Sequence, residues 1–397
     1  MLVKPLISRD HFDMPASVLW LSHCKDGPLP RASARAISTL METELRPWDV
    51  RWNEDFLDVQ RSLRHAGAQL LGVDAHDMSL VTCTSSGLEA VALGYPWKSG
   101  DEVIIPAGEF PSNRLPWLAL RDKGVTCTEV VLWDGQTGDA PVAPEATVDP
   151  EQRLLDAITP RTRLIAVSWV RYQDGLRLDI ERLGRACRER GVHLVVDGIQ
   201  GAGTAVAALD GVSAFATGGH KGLLGLQGQG LLWTERAFRQ QLIPLGTWLS
   251  APDDFSQEGT QASRDALWAA DGRRLEAGSP SIVSCAALAS SIQLLLDSGG
   301  VAAIQSHIAG LQQALLAALA NDPSWSSEAQ RLHALMRNNR LGSILSFAVP
   351  PQRAAHLLRA AEAQGIHASM REGYLRIAFH GWHASGDVER CVAWLTS

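Results

Sequence analysis

Between Arg31 and Leu245, seven short apolar runs alternate with segments of helical spacing, and this alternation constrains the fold more than any other feature of the chain. The runs are "MSLVTCTSS", "DEVIIPAG", "GVTCTEVVLW", "TRLIAVSWV", "VHLVVDG", "SAFATGG" and "GQGLLWT". Several are unbroken stretches of Val, Ile and Leu, the pattern of strands covered on both faces. Between them, "SGLEAVALGYPW", "PSNRLPWLALRDK" and "DIERLGRACRERG" place apolar residues three and four apart, as the buried stripe of a helix requires. Such repetition predicts an α/β fold whose mainly parallel sheet is covered by helices on both sides. Ligands then belong at the carboxyl ends of the strands.

The texture divides the chain further. Residues 31–245 read as the large domain. Residues 246–280 are polar and rich in Gly, Ser and Asp, which predicts an irregular connecting segment of the kind that carries function. Residues 281–397 open with two strongly helical stretches and end in alternating runs, "GSILSFAV", "YLRIAF" and "DVERCVAWL", which predict a smaller α+β domain.

A chain of 397 residues has ample length for both cores, and 46% apolar with 20% charged residues is ordinary for a globular protein. The formal net charge of -7 offers nothing to nucleic acid or to an anionic membrane surface, so a small-molecule partner is expected. Six scattered cysteines form no CxxC pair, and neither a metal site nor a disulfide framework is expected. The first sixteen residues contain an early proline and several charges, and no window offers a membrane span, so a cytoplasmic location is expected.

The stretch "HLVVDGIQGAGT", His193 to Thr204, runs from a buried strand into glycines and poses the question of a dinucleotide. The fingerprint needs a third glycine where Val206 stands, and its ribose-binding acid about 20 residues further on, so Asp210 comes too early. Asp197 is the more informative residue. A carboxylate ending an apolar strand needs a cation to offset its burial. In "ATGGHKGLLG", 24 residues downstream, Lys221 follows another strand among glycine and apolar residues, where a lysine loses proton affinity and becomes a nucleophile. A ligand that takes a Schiff-base lysine together with an acidic partner for a ring nitrogen is pyridoxal 5'-phosphate (PLP). In "TCTSSGLEAVALG", Thr84, Ser85 and Ser86 lie between a strand and a helix expected to begin near Gly87, and supply hydroxyls and free N–H groups for the phosphate.

"TSSGLEA", "GEFPSNRLPW", "SWVRYQDGLRLDI", "VDGIQGAG", "GGHKGLLG", "RRLEAGSPSI" and "GIHASMREGYLRIAFH" span residues 84 to 380 in one order. Together they resemble the class V aminotransferase-like group of fold type I PLP enzymes, which includes cysteine desulfurases and isopenicillin N epimerase. The resemblance implies a homodimer in which Lys221 carries PLP, Asp197 pairs with the pyridinium nitrogen and Gln200 bonds the phenolic oxygen. It implies that Thr84, Ser85 and His220 hold the phosphate, while Ser279 reaches the phosphate in the partner subunit. Phe110 is implied to stack on the ring, with Pro111 there instead if the register slips by one. Arg376 is implied to bind the substrate carboxylate. "LSHCKDGPLP" resembles the segment that folds over the active site, so residues 1–30 are expected to do so, with His23 as a substrate contact.

The chain also departs from the desulfurases. "GIHASMREGYLRI" lacks their persulfide cysteine, and Tyr172, with Gln173 beside it, stands where they carry asparagine near the ring. After Arg376 comes "HGWHA", whose His380, Trp382 and His383 are open to packing, solvent or substrate roles. The expected activity is PLP-dependent and aminotransferase-like, acting on an amino acid. β-Elimination, including carbon–sulfur cleavage, and epimerisation share its first steps. A nicotinamide-dependent oxidoreductase is the alternative from another class.

Overall fold

The computed structural model describes residues 3–137, 142–251 and 268–397; the middle of the expected connecting segment 246–280 therefore lies outside the described residues. The strands are β1 (Leu19–Trp20), β2 (Met78–Val81), β3 (Glu102–Pro106), β4 (Thr126–Val130), β5 (Thr162–Ser168), β6 (His193–Asp197), β7 (Ala214–Gly218), β8 (Gly230–Thr234), β9 (Ile344–Ala348), β10 (Ile366–His367), β11 (Ser369–Arg371) and β12 (Tyr374–Ala378). Strands β2 to β8, the seven apolar runs, form one sheet in the order β2-β8-β7-β6-β5-β3-β4. Pairing is parallel from β4 through β7, and β8 runs against both of its neighbours. The mainly parallel α/β expectation holds.

Alternation along the strands builds a core on each face. Ile104, Ile165, Val167, Leu194, Val196 and Phe215 point to one side, while Val103, Ile105, Leu164, Ala166, Val195 and Ala216 point to the other. All twelve are fully buried. β4 lies at the sheet edge, and its five residues are only partly covered.

Two helices differ from expectation. The helix expected near Gly87 begins at Thr84, because the Ser86 hydroxyl folds back onto Cys83 and closes a turn earlier. The segment "PSNRLPWLALRDK" breaks into three short helical pieces, Pro111–Asn113, Leu115–Leu118 and Ala119–Lys123, in keeping with prolines that suit only a first helical turn.

A second, antiparallel sheet has the order β11-β12-β9, and β1 pairs in parallel with β10. The chain after β1 is pinned on both sides: Leu21 N donates to His367 O at 2.9 Å, and Ala378 N donates to Leu21 O at 2.9 Å. That pinning delivers Ser22 to Gly27 to the carboxyl end of the large sheet, where Gly27 N meets His220 O at 2.7 Å.

Candidate active site

Neighbouring strands set the centre of the site. Ser168, at the end of β5, pairs with Asp197, at the end of β6, and Asp197 pairs with Ala216 of β7. Lys221 follows β7 by three residues. Asp197 is 3% exposed and accepts a hydrogen bond from Ile199 N at 3.0 Å. Burial pushes its pKa up to about 7, with nearby Glu109 adding to the rise and Lys221 opposing it. Burial lowers the pKa of Lys221, against the pull of Asp197. The amine is therefore easier to deprotonate than a surface lysine, and the carboxyl is ready to bind a proton or face a cation. The Lys221 Nζ stands 5.9 Å from the centre of the Phe110 ring, which meets the Tyr172 ring edge-on at 5.2 Å. Gln200 donates to Cys24 O at 3.1 Å.

The helix Thr84–Gly94 points its first turn at the same strand ends. Thr84 Oγ1 accepts from Gly218 N at 2.8 Å, and Ser85 Oγ donates to Ser112 Oγ at 2.8 Å. Ser86 differs: its hydroxyl accepts from Cys83 N at 3.1 Å and donates to Cys83 O at 2.9 Å, so it serves the turn. His220 is half-buried, and a β-carbon on Gly218 would lie 3.3 Å from its ring. Ser279 is exposed, on the turn before the helix Ile282–Asp297, and makes no hydrogen bond to the other candidate residues.

Arg376 is buried rather than set on a surface strand. Its Nη1 donates to Tyr172 O at 2.6 Å, and its Nε donates to Ser369 Oγ, on its cross-strand partner, at 3.1 Å. The segment where desulfurases carry the persulfide cysteine is here a tight hairpin between β11 and β12. Its two turn residues, Glu372 at φ 47° and Gly373 at φ 84°, are both left-handed, as a two-residue hairpin turn demands. The Tyr172 hydroxyl bonds to the Glu372 carboxylate. His23 is buried, with Nδ1 3.3 Å from Ala378 O and Nε2 3.1 Å from Ser343 Oγ, so protein groups occupy both ring nitrogens.

The glycines of "DGIQGAG" are taken up internally. A β-carbon on Gly198 would lie 2.0 Å from the Phe215 ring, one on Gly201 2.3 Å from the Trp169 ring, and one on Gly203 2.4 Å from Gly222 O. They admit two buried aromatic rings and a neighbouring backbone. This leaves the dinucleotide reading without its phosphate cradle.

Several buried polar residues escape sequence reasoning. Glu109 accepts from Ser168 N at 2.7 Å and from the Ser168 hydroxyl, and so lies beside Asp197 through the β5–β6 register. Arg171 and Asp174 form an ion pair at 2.9 Å with both side chains buried. The only signal for either was a charge inside an otherwise apolar stretch. His380, Trp382 and His383, left open by the sequence, are all buried.

Residues 51–374 match the family model Aminotransferase class-V. A probable cysteine desulfurase of Methanothermobacter thermautotrophicus is 29% identical over 256 residues, a match that covers 63% of this chain and 60% of the relative. An uncharacterized aminotransferase of Bacillus subtilis is 23% identical over 94% of this chain and 92% of its own length. Among solved structures, a mutant of C-DES with glycine linked covalently to its PLP cofactor superposes with a TM-score of 0.83 at 22% identity, covering 98% and 99% of the two chains. The cystine C–S lyase C-DES in complex with its product cysteine persulfide gives 0.80 at 22% identity, over 96% and 98%. Apo cysteine desulfurase from Thermococcus onnurineus gives 0.74 at 19% identity, over 98% and 96%. These likenesses establish the fold, and the match over residues 51–374 establishes the family: the chain belongs to the class V aminotransferases, the PLP-dependent fold type I family that its motifs resemble.

Proposed function

We propose that this chain is a PLP-dependent lyase that cleaves the carbon–sulfur bond of a cysteine-like amino acid by β-elimination. One observation carries the PLP reading: a deeply buried carboxylate, Asp197, that forms no ion pair with another side chain among the described residues, beside a lysine whose proton is loosened by burial. A pyridinium ring nitrogen is the missing cation. Lys221 would hold the cofactor covalently, with Phe110 over its ring, Gln200 at its phenolic oxygen, and Thr84, Ser85, His220 and the helix start at its phosphate. The partner subunit would add Ser279 across a homodimer interface. When bound, the cofactor supplies an electron sink for charge at the substrate Cα.

The remaining work falls to protein groups. Arg376 holds the substrate carboxylate through the guanidinium edge left free by Tyr172 O and Ser369. Lys221 takes the Cα proton and returns it where the reaction ends. Elimination breaks Cα–H and Cβ–S, the departing sulfur gains a proton and leaves as a thiol, or as a persulfide when the substrate is a disulfide such as cystine, and water hydrolyses the released aminoacrylate to pyruvate and ammonia. Two features support elimination as the fate of the sulfur. The hairpin at Glu372 carries no thiol where the desulfurases carry their persulfide cysteine, so sulfur transfer by that route is disfavoured and sulfur would depart on the leaving group. In addition, the neighbour with TM-score 0.80 is a cystine C–S lyase.

The test is to supply purified protein with PLP and then with L-cystine or an S-substituted cysteine. Expected are a yellow protein, colour lost in Lys221→Ala, and pyruvate released without an added oxo acid. Turnover that needs an oxo acid and leaves the sulfur on the product would replace elimination by transamination. A protein that takes up no PLP would remove the whole reading. Sedimentation should give a dimer, and Ser279→Ala should weaken PLP binding.

A further inference from the structure

Lys221 sits in no helix or strand. Glycines 218, 219 and 222 surround it, so local backbone preference does little to aim its amine. Besides local bonds such as Gly219 N to Gln229 O at 2.8 Å, the segment is held from both ends of the chain. On one side, Gly27 N donates to His220 O at 2.7 Å, and Gly27 lies so close to Lys221 O that a β-carbon there would stand 2.3 Å away. On the other, His380 Nε2 lies 3.0 Å from Gly222 O.

The His380 ring leaves no freedom in that contact. Gly381 N donates to its Nδ1 at 2.8 Å, which puts the ring proton on Nε2, facing the Gly222 carbonyl. His380 N donates in turn to His383 Nδ1 at 2.9 Å, and His383 Nε2 donates to Trp20 O at 3.0 Å. Trp382 stacks on the His380 ring with centroids 4.5 Å apart, and His23 meets it edge-on at 5.1 Å. All four side chains are buried, so little water competes for these bonds.

We infer that His380 is a positioning residue for Lys221: its Nε2–H holds the carbonyl of Gly222, the residue after the lysine, and thereby fixes the turn from which the amine projects. The inference rests on Lys221 being the cofactor lysine. Leverage makes it matter. An extended lysine places Nζ about 6 Å from its Cα, so a peptide rotation of about 10° moves the amine roughly 1 Å, and an error of that size costs on the order of a hundredfold in rate. A histidine present only to fill space would be replaceable by any flat ring.

The test compares His380→Phe, which keeps a flat ring against Trp382, with His380→Gln, whose side-chain amide keeps a donor for Gly222 O. Three quantities are read: hydrogen exchange of the amides from Gly219 to Leu224 in cofactor-free protein, the pH at which the absorbance of lysine-bound PLP titrates, and kcat and KM separately. His380→Phe should speed exchange about tenfold, the equivalent of one lost hydrogen bond. It should also shift the titration and lower kcat about ten- to a hundredfold with little change in KM, while His380→Gln recovers most of each. Wild-type exchange and titration in His380→Phe would overturn the inference. So would a His380→Gln protein as impaired as His380→Phe; if His380→Phe does not fold, His380→Gln against wild type decides. Should wild-type protein take up no PLP, the cofactor reading fails, and the exchange comparison still reports whether His380 holds the segment.

Discussion

Three histidines buried without charge make acid the natural perturbation. Burial lowers the pKa of His23 well below its ordinary value and takes His380 and His383 down to about 3. The unfolded chain takes up these protons near pH 6.5, whereas the folded chain does not. Stability is therefore whole above about pH 6.5 and falls with acidification by about 1.4 kcal/mol per pH unit for each such histidine. Asp197, raised to about 7, works in the other direction: it is protonated in the folded state first and adds stability as pH falls from about 7 toward the carboxylate range. The two tendencies overlap in the wild type, so a difference measurement is needed. His383→Gln removes one histidine and leaves Asp197 untouched. The glutamine keeps a donor for Trp20 O but leaves His380 N without its acceptor, at a cost of about 1–3 kcal/mol at pH 7.5. Between pH 7.5 and 4.5 the wild type loses about 2.7 kcal/mol from His383 that the variant does not. Urea unfolding of the cofactor-free proteins, followed by tryptophan fluorescence at four pH values from 7.5 to 4.5, should show the gap closing or reversing. Parallel stability curves would refute the argument, since they would mean that His383 is protonated in the folded state or that its cavity admits water.

Four other substitutions test separate parts of the site. Arg376→Ala should lower kcat/KM about ten- to a hundredfold, the loss of charged hydrogen bonds to the substrate carboxylate, while PLP absorbance stays; loss of the cofactor instead would contradict the role given to Arg376. Gly201→Ala drives a β-carbon into the Trp169 ring and should cost about 1–3 kcal/mol of stability by urea titration, with the Trp169 fluorescence displaced. Ser86→Ala should cost about 1 kcal/mol of stability and change PLP affinity less than Ser85→Ala does, because the Ser86 hydroxyl is spent on its own turn. Arg64→Leu strands the buried Glu276 carboxylate, now bonded at 2.7 Å, and should destabilise by about 3–5 kcal/mol in a denaturant melt near pH 7; a loss under 1 kcal/mol would mean that Glu276 is folded as the neutral acid.

What could be read from the sequence was what local patterning encodes. Six strands of the large sheet were visible because a strand covered on both faces must be apolar along its length, the edge strand β4 because of its β-branched run, and Asp197 stood out because it ends such a covered strand. Lys221 was legible for the same reason, one strand over. The residues that escaped are those whose meaning is set by a partner far along the chain. Glu109 becomes significant only when β5 brings Ser168 beside Asp197, and the purpose of the glycines in "DGIQGAG" depends on Phe215 and Trp169, which no spacing rule links to them.

The histidines make the point most sharply, because many of their neighbours come from residues 20 to 27, 220 to 222 and 378 to 383, segments joined by the β1–β10 pairing, the Leu21–Ala378 bond and the Gly27–His220 bond. A single sequence marks an imidazole as able to be packing, solvated or functional. Which of these it becomes is decided by whether water is excluded and which backbone groups remain to be bonded. At His380 both conditions are settled by tertiary structure: the ring is sealed by Trp382 and His23, and its one proton faces the carbonyl next to Lys221. The chemistry of the lysine is thus written locally, in β7 and its glycines, while its aim is written in the two ends of the chain.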